Sequence, residues 1–195
     1  MNLVSSVRGE KVDEGILIQN IAGGDTQAFG KLAERHQRRL VRFAERMLGD
    51  ADAAQDIAQE TFLRLWHVRS RCPAQSDLSF YLLRIARNLC LDYFRSHHIT
   101  ASLDETTDPA PTAQCGLTAL IEFRALAESV RLSAQTLPEP QRVVFVLSHY
   151  EEMSYREIAQ AVGCPVGTVA SRKYQAVETL RRRLKPWIEE GDTKR

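Results

Sequence analysis

Long apolar runs are missing from this chain: nothing in its sequence approaches the roughly 18 consecutive apolar residues that cross a bilayer. The polar stretch Met1–Gly15 also lacks the apolar centre of a signal peptide. A soluble, cytoplasmic protein without membrane insertion is the expectation. Cysteine is scarce, and Cys72, Cys90, Cys115 and Cys164 are scattered, with neither the paired spacing of a zinc site nor the density of a disulfide framework. Such usage fits a reducing compartment. Cys72 and Cys164 are single thiols, of the kind more often structural than reactive. No phosphate-binding glycine loop, nucleophile elbow or paired metal-ligand motif occurs. Hence no catalytic residue, metal site or cofactor is expected, and the chain does not read as an enzyme. Sustained apolar–polar alternation is absent too, so no sheet is expected. Finally, neither sign of charge prevails: 26 Lys and Arg stand against 25 Asp and Glu, a net +1. Any nucleic-acid binding must therefore come from local clustering of charge.

What is present is ordinary globular material, 44% apolar and 26% charged, in 195 residues that allow one large domain or two small ones. Apolar residues recur at helical spacing from Ile16 to Leu48, interrupted at Gly23-Gly24-Asp25, where Asp25 or Thr26 can cap the second helix. Gly49 closes that helix and Asp50 opens the next, Asp52–Val68, with an apolar stripe of Ala54, Ile57, Ala58, Phe62, Leu65 and Trp66. Its other face, Asp52, Gln55, Asp56, Gln59 and Glu60, is acidic and amide-rich and lies near the positive end of the helix dipole. A loop over Arg69–Asp77 leads into a helix at Leu78–His97. The Thr-, Pro- and Asp-rich segment Ile99–Gly116, with Pro109 and Pro111, reads as a linker. Helices follow at Leu117–Ala134 and Gln141–Tyr150. The expected fold is therefore all-α, two small helical domains joined by a flexible linker. Its boundaries are an N-terminal tail over 1–14, a first domain over 15–98, a linker over 99–117 and a second domain over 118–190.

The most informative stretch is Ser154–Lys185. Ser154 with Glu157 forms a capping box, so a helix starts at Tyr155. Gly163 sits where the chain must leave that helix with positive φ. Cys164 falls at an N-cap position and Pro165 at the first helical position of a second helix, expected over Pro165–Leu184. That is the sequence pattern of a helix-turn-helix. Val169, Ala176, Val177, Leu180 and Leu184 can face the protein, leaving Thr168, Ser171, Arg172, Lys173 and Gln175 outward. Arg and Gln can read purine edges in the major groove, and Thr, Ser and Lys suit phosphates. Arg181, Arg182, Arg183 and Lys185 lie further along as backbone contacts.

The blocks D-A-A-Q-D-I-A-Q-E-T-F-L-R-L-W (Asp52–Trp66) and Y-L-L-R-I-A-R-N-L-C-L-D-Y-F-R-S (Tyr81–Ser96) resemble region two of bacterial sigma factors. L-P-E-P-Q-R-V-V-F-V-L (Leu137–Leu147), with the S-Y-R-E-I-A and G-T-V-A-S-R blocks, resembles region four. Two such regions and a short linker are similar to the extracytoplasmic-function group of the sigma-70 family. The resemblance implies a transcription-initiation subunit that directs core RNA polymerase to promoters and assists melting. Its implied partners are the β′ coiled coil and β flap of core polymerase, promoter DNA and an anti-sigma factor. Asp52, Gln55, Asp56, Gln59, Glu60 and Phe62 would dock the polymerase, with Phe62 as the apolar anchor. Arg84, Arg87, Asn88, Tyr93 and Arg95, with the Arg69–Asp77 loop, would hold the melted minus-ten strand and an extruded base. Thr168, Ser171, Arg172, Lys173 and Gln175 would read the minus-thirty-five element.

The sequence departs from the family pattern at three places. Tyr81 stands where Trp is usual, Glu151-Glu152-Met153 lacks the usual glycine, and Lys173-Tyr174-Gln175 replaces a Leu-His-Arg run. The second departure implies a tighter turn or a longer preceding helix. Two alternatives remain open on sequence: a stand-alone helix-turn-helix regulator, disfavoured by the lack of a dimerisation helix or ligand domain, and a sigma-like decoy that sequesters an anti-sigma factor.

Overall fold

The computed structural model describes residues 15–71, 78–98 and 119–185. The expected N-terminal tail, most of the Arg69–Asp77 loop and all of the 99–117 linker lie outside the described residues, as do Cys72 and Cys115. Among the described residues every regular element is helical: α1 (residues 15–22), α2 (Thr26–Leu48), α3 (Ala51–His67), a 3₁₀ turn (Arg69–Arg71), α4 (Leu78–His98), α5 (Ala119–Gln135), α6 (Glu139–His149), α7 (Tyr155–Val162) and α8 (Val166–Arg183). The all-α expectation holds.

Two compact units emerge. One contains the described residues up to Glu45 together with Asp50–Cys90; the other contains Arg46–Gly49 and the described residues from Leu91 onward. In the first, local chemistry sets the helix starts. Gly24 (φ 91°) lets the chain leave α1, and Asp25 Oδ1 accepts from the Gln27 and Ala28 N–H groups at 2.8 and 3.1 Å. Asp50 repeats the device for α3, accepting from Asp52 and Ala53 N–H at 3.0 Å each. Such caps satisfy backbone donors that would otherwise be orphaned, each stabilising by about 1 kcal/mol. Ile18, Ile21, Leu32, Leu65 and Leu78 then meet from four helices, all buried. Each contributes on the order of 1.5–3 kcal/mol by leaving water.

The second unit is organised on α6, where Val143, Val144, Phe145, Val146 and Leu147 are buried in succession. Five buried residues in a row exceed one helix face, so α6 is wrapped by neighbours, and it packs on α5, α7 and α8. It begins at Glu139 after an N-cap at Pro138, two residues earlier than the sequence pattern places it. Pro140 sits in the first turn, where a missing N–H costs nothing. The helix-turn-helix is as expected at its core: the Ser154–Glu157 capping box is reciprocal, and Gly163 takes φ 72°. One detail differs. Pro165, not Cys164, is the N-cap of α8, with extended ψ of 148° and no side-chain cap. Its carbonyl opens the helix, accepting from Thr168 and Val169. After α6 ends at His149, Glu152 adopts the left-handed conformation, φ 53°.

Candidate nucleic-acid and partner interfaces

On α3, about 3.6 residues per turn put Asp52, Asp56 and Gln59 in one line, with Gln55 and Glu60 to either side. Asp52, Gln55, Asp56 and Gln59 are exposed. Glu60 is half-buried and paired with Arg64 at 2.9 Å, so part of its charge is already answered within the helix. Phe62 differs from the expectation of an exposed anchor. It is only 8% exposed and meets Phe29 edge-on, centroids 6.3 Å apart at 88°, which makes it core. The apolar side chain that continues the Asp52–Asp56–Gln59 line is Leu63, 52% exposed. Sequence reasoning missed it because Leu63 adjoins the apolar stripe by one position and was absorbed into neither face.

On α4, Arg84, Asn88 and Arg95 share one helix face, with Arg87 at its edge. Arg84 stacks over the Tyr81 ring at 5.0 Å, and Arg87 Nη1 donates to Asn88 Oδ1 at 3.0 Å, leaving the Asn88 amide NH₂ for another partner. Arg95 pairs with Asp92 at 3.1 Å on the surface, a contact of little worth that a phosphate can displace. Tyr93 lies on the opposite side of the helix, half-buried and stacked on His97 at 3.8 Å and 18°. It is not brought together with the Arg84–Asn88 set.

Beside that set is an open hollow of about 280 Å³ lined by Arg64, His67, Val68, Tyr81, Ile85 and Asn88. The volume is near the low end of small-ligand sites. Its walls are mostly apolar, with Tyr81 offering an aromatic face and Arg64, His67 and Asn88 polar tips. The α3 residues of this lining were not legible in the sequence, since they come from the last turn of a helix singled out for another role. Just beyond, Arg69 lies over the Trp66 ring at 4.4 Å and donates to the Trp66 carbonyl at 2.8 Å.

On α8, the buried residues Val169, Ala176 and Leu180 define the inward side. The outward side opposite them is centred on Gly167, Ser171, Tyr174 and Glu178, with Gln175 adjacent. Tyr174 is the standout, 72% exposed. Ser171 and Gln175 are exposed, as expected, while Thr168, Arg172 and Lys173 are half-buried flanks. Arg172 Nη1 reaches back to within 3.8 Å of Cys164 Sγ, and Lys173 Nζ lies 5.2 Å above the Tyr155 ring. Gln175 Oε1 accepts from Gln141 Nε2 of α6 at 3.3 Å. His149 of α6 packs its ring against Phe145, and its pKa is lowered by burial and then by the Lys173 charge. Among the described residues no His, Cys, Asp and Glu group could hold a metal ion, and no helix is long and apolar enough to cross a membrane.

Comparison with known proteins agrees with this arrangement. The profile of Sigma-70 region 2 matches residues 32–99, and that of Sigma-70, region 4 matches residues 127–180. The chain is 30% identical to the RNA polymerase sigma-H factor of Pseudomonas aeruginosa, over 90% of this chain and 95% of that one. It is 29% identical to the ECF RNA polymerase sigma factor SigW of Bacillus subtilis, covering 86% and 95%. Among solved structures it resembles CnrH in complex with the cytosolic domain of CnrY, with TM-score 0.65, 25% identity, and 89% and 98% of the two chains covered. It also resembles the sigma factor RpoE in complex with the anti-sigma factor NepR from Bartonella quintana, with TM-score 0.63, 25% identity and coverage of 80% and 96%.

Proposed function

The chain belongs to the extracytoplasmic-function group of the sigma-70 family of RNA polymerase sigma factors, and we propose from that premise how its residues divide the work. It directs core polymerase to promoters, and its partners are core RNA polymerase, promoter DNA and an anti-sigma factor. Residues 15–98 carry polymerase docking and minus-ten recognition, 99–117 link, and 118–190 carry minus-thirty-five recognition. It acts in the cytoplasm, as a subunit of the polymerase without catalysis of its own.

Docking falls to the α3 line Asp52–Asp56–Gln59, extended by Leu63 in place of the buried Phe62. Carboxylates and amides suit a basic partner helix through charge-assisted hydrogen bonds. Leu63, 52% exposed at the end of that polar line, adds apolar area for the partner to cover. Minus-ten recognition falls to Arg84, Arg87, Asn88 and Arg95, with phosphates met by the guanidiniums. The hollow beside Tyr81 accepts an unstacked base, its aromatic wall supplying stacking and Asn88 an amide. Tyr93, turned away, stiffens the helix through its stack with His97. Minus-thirty-five recognition falls to Ser171, Tyr174 and Gln175 at base edges, with Thr168, Arg172 and Lys173 flanking as phosphate contacts.

The observation that carries the reading is the pairing, in one chain, of the α3 acidic–amide line with a helix-turn-helix whose recognition helix leaves Tyr174 bare. The test is affinity for purified core polymerase. Asp56→Arg and Leu63→Ala should each weaken it about tenfold or more, a loss of at least 1.4 kcal/mol, while Tyr174→Ala leaves it unchanged. Unchanged affinity in both α3 variants would remove the docking assignment.

A further inference from the structure

The outer face of α2 carries a charge pattern that neither docking nor the two promoter contacts uses. The helix holds six Lys and Arg against two Glu, so that outside it acidic side chains outnumber basic ones. Lys31, Arg35, Arg38 and Arg42 follow the spacing i, i+4, i+7, i+11 and form a straight line about 16 Å long. All four are exposed. Glu34 and Glu45 lie along one edge of the line rather than within it. Arg38 and Arg42 are a like-charge pair one turn apart, which an anion lying between or above them relieves.

The chemistry of the face distinguishes the partner. A protein interface is focused on apolar or aromatic side chains ringed by polar ones. No large apolar residue of α2 is exposed. A nucleic-acid backbone, by contrast, offers a phosphate every ~3.4 Å of axis along each strand and asks only for cations in a row. We propose that the Lys31–Arg42 face of α2 is a third DNA-contacting surface, binding the phosphate backbone of promoter DNA without regard to sequence. The surface rests on the sigma-factor reading, since it acts within the polymerase holoenzyme. It supplies affinity, and base choice stays with α4 and α8.

The test measures holoenzyme, core polymerase plus the full chain, binding to a promoter duplex and to the same duplex with both recognition elements scrambled, across a salt titration. The variant K31Q/R38Q/R42Q removes three charges, and K31R/R38K/R42K retains them. Removing three phosphate contacts should lower the slope of log affinity against log salt by about 2 to 3. The loss should be equal on both duplexes, should be restored in the charge-retaining variant, and should leave core affinity unchanged. A slope retained by the Gln variant would overturn the proposal, leaving a solvated face. Loss of core affinity in the Gln variant would overturn it too, assigning the face to the polymerase. If the unsubstituted chain forms no holoenzyme, it is the sigma-factor reading beneath the proposal that fails.

Discussion

Gln141 of α6 donates through Nε2 to Gln175 Oε1 of α8 across 3.3 Å, so the amide proposed to read a base edge is held from behind by the scaffold helix. The Gln141 Oε1 is itself buried and without a hydrogen-bond partner, so this amide's one contact of note is the one to Gln175. With its oxygen engaged, Gln175 keeps its NH₂ group as a donor. Gln141→Leu keeps the volume and removes the donor. It should relax base preference at one position of the upstream element, by about 1 kcal/mol, the net worth of a single hydrogen bond. Transcription from a library of upstream-element variants reads this directly. Gln175→Ala should relax the same position, and a Gln141→Leu effect spread over all positions would mean that Gln141 serves only packing.

In the proposed division of labour Tyr174 reads bases and Arg172 meets the backbone. Tyr174 projects from the middle of the outward face, whereas the Arg172 guanidinium leans along the flank toward Cys164. Tyr174→Ala should therefore change which upstream sequences are preferred. Arg172→Ala should weaken all of them about equally and lower the salt slope by about 1. Both should spare core binding. The measurement is DNA affinity of the holoenzyme on matched and mismatched upstream elements.

Glu152 holds φ at 53°, a region costly for a side chain with a Cβ and free for glycine. Glu152→Gly should raise stability by roughly 0.5–1 kcal/mol through relief of that strain, offset in part by the extra freedom of glycine when unfolded. Thermal or urea unfolding of the two proteins gives the answer. A fall in stability would mean that the glutamate side chain makes a contact worth more than the strain.

His149 predicts a pH dependence. Burial, and then the Lys173 charge, lower its folded-state pKa below the ordinary value near 6.5. The unfolded chain then binds more protons than the folded one in the interval below 6.5, so stability rises with pH there. It is fully present above the unfolded value and is lost as pH falls toward the folded one. His149→Gln should flatten the pH 5–7 slope of stability relative to the parent. Equal slopes in parent and variant would show that His149 is not perturbed.

Much of this was legible because helix starts and stops are local. Asp25, Asp50, Ser154 with Glu157, and Gly163 each act through backbone groups within four residues, so sequence alone places them. Which side of a helix faces out is set by what packs on it, and there the reading was poorer. Phe62 and Leu63 are neighbours of similar character, and only the edge-on contact with Phe29 decides that the first is core. In sequence Tyr174 is one residue of a divergent run, and only the burial of Val169, Ala176 and Leu180 fixes the inward side of α8 and so turns Tyr174 outward. Arg172 and Lys173 are outward-capable residues whose contacts with Cys164 and Tyr155 draw them to the flanks. Chains of contacts such as Gln141–Gln175 span 34 residues, and no periodicity encodes them.

The central claim is that this chain gives core RNA polymerase its promoter choice. The most direct test is transcription in vitro from genomic DNA of the native cell with purified core polymerase, with and without the chain, followed by mapping of transcript starts. Discrete starts should appear only with the chain, share an upstream and a minus-ten element, and vanish with Asp56→Arg. DNA bound at discrete sites with no transcript initiated by core polymerase would contradict the central claim, and would make the chain a regulator that acts without the polymerase.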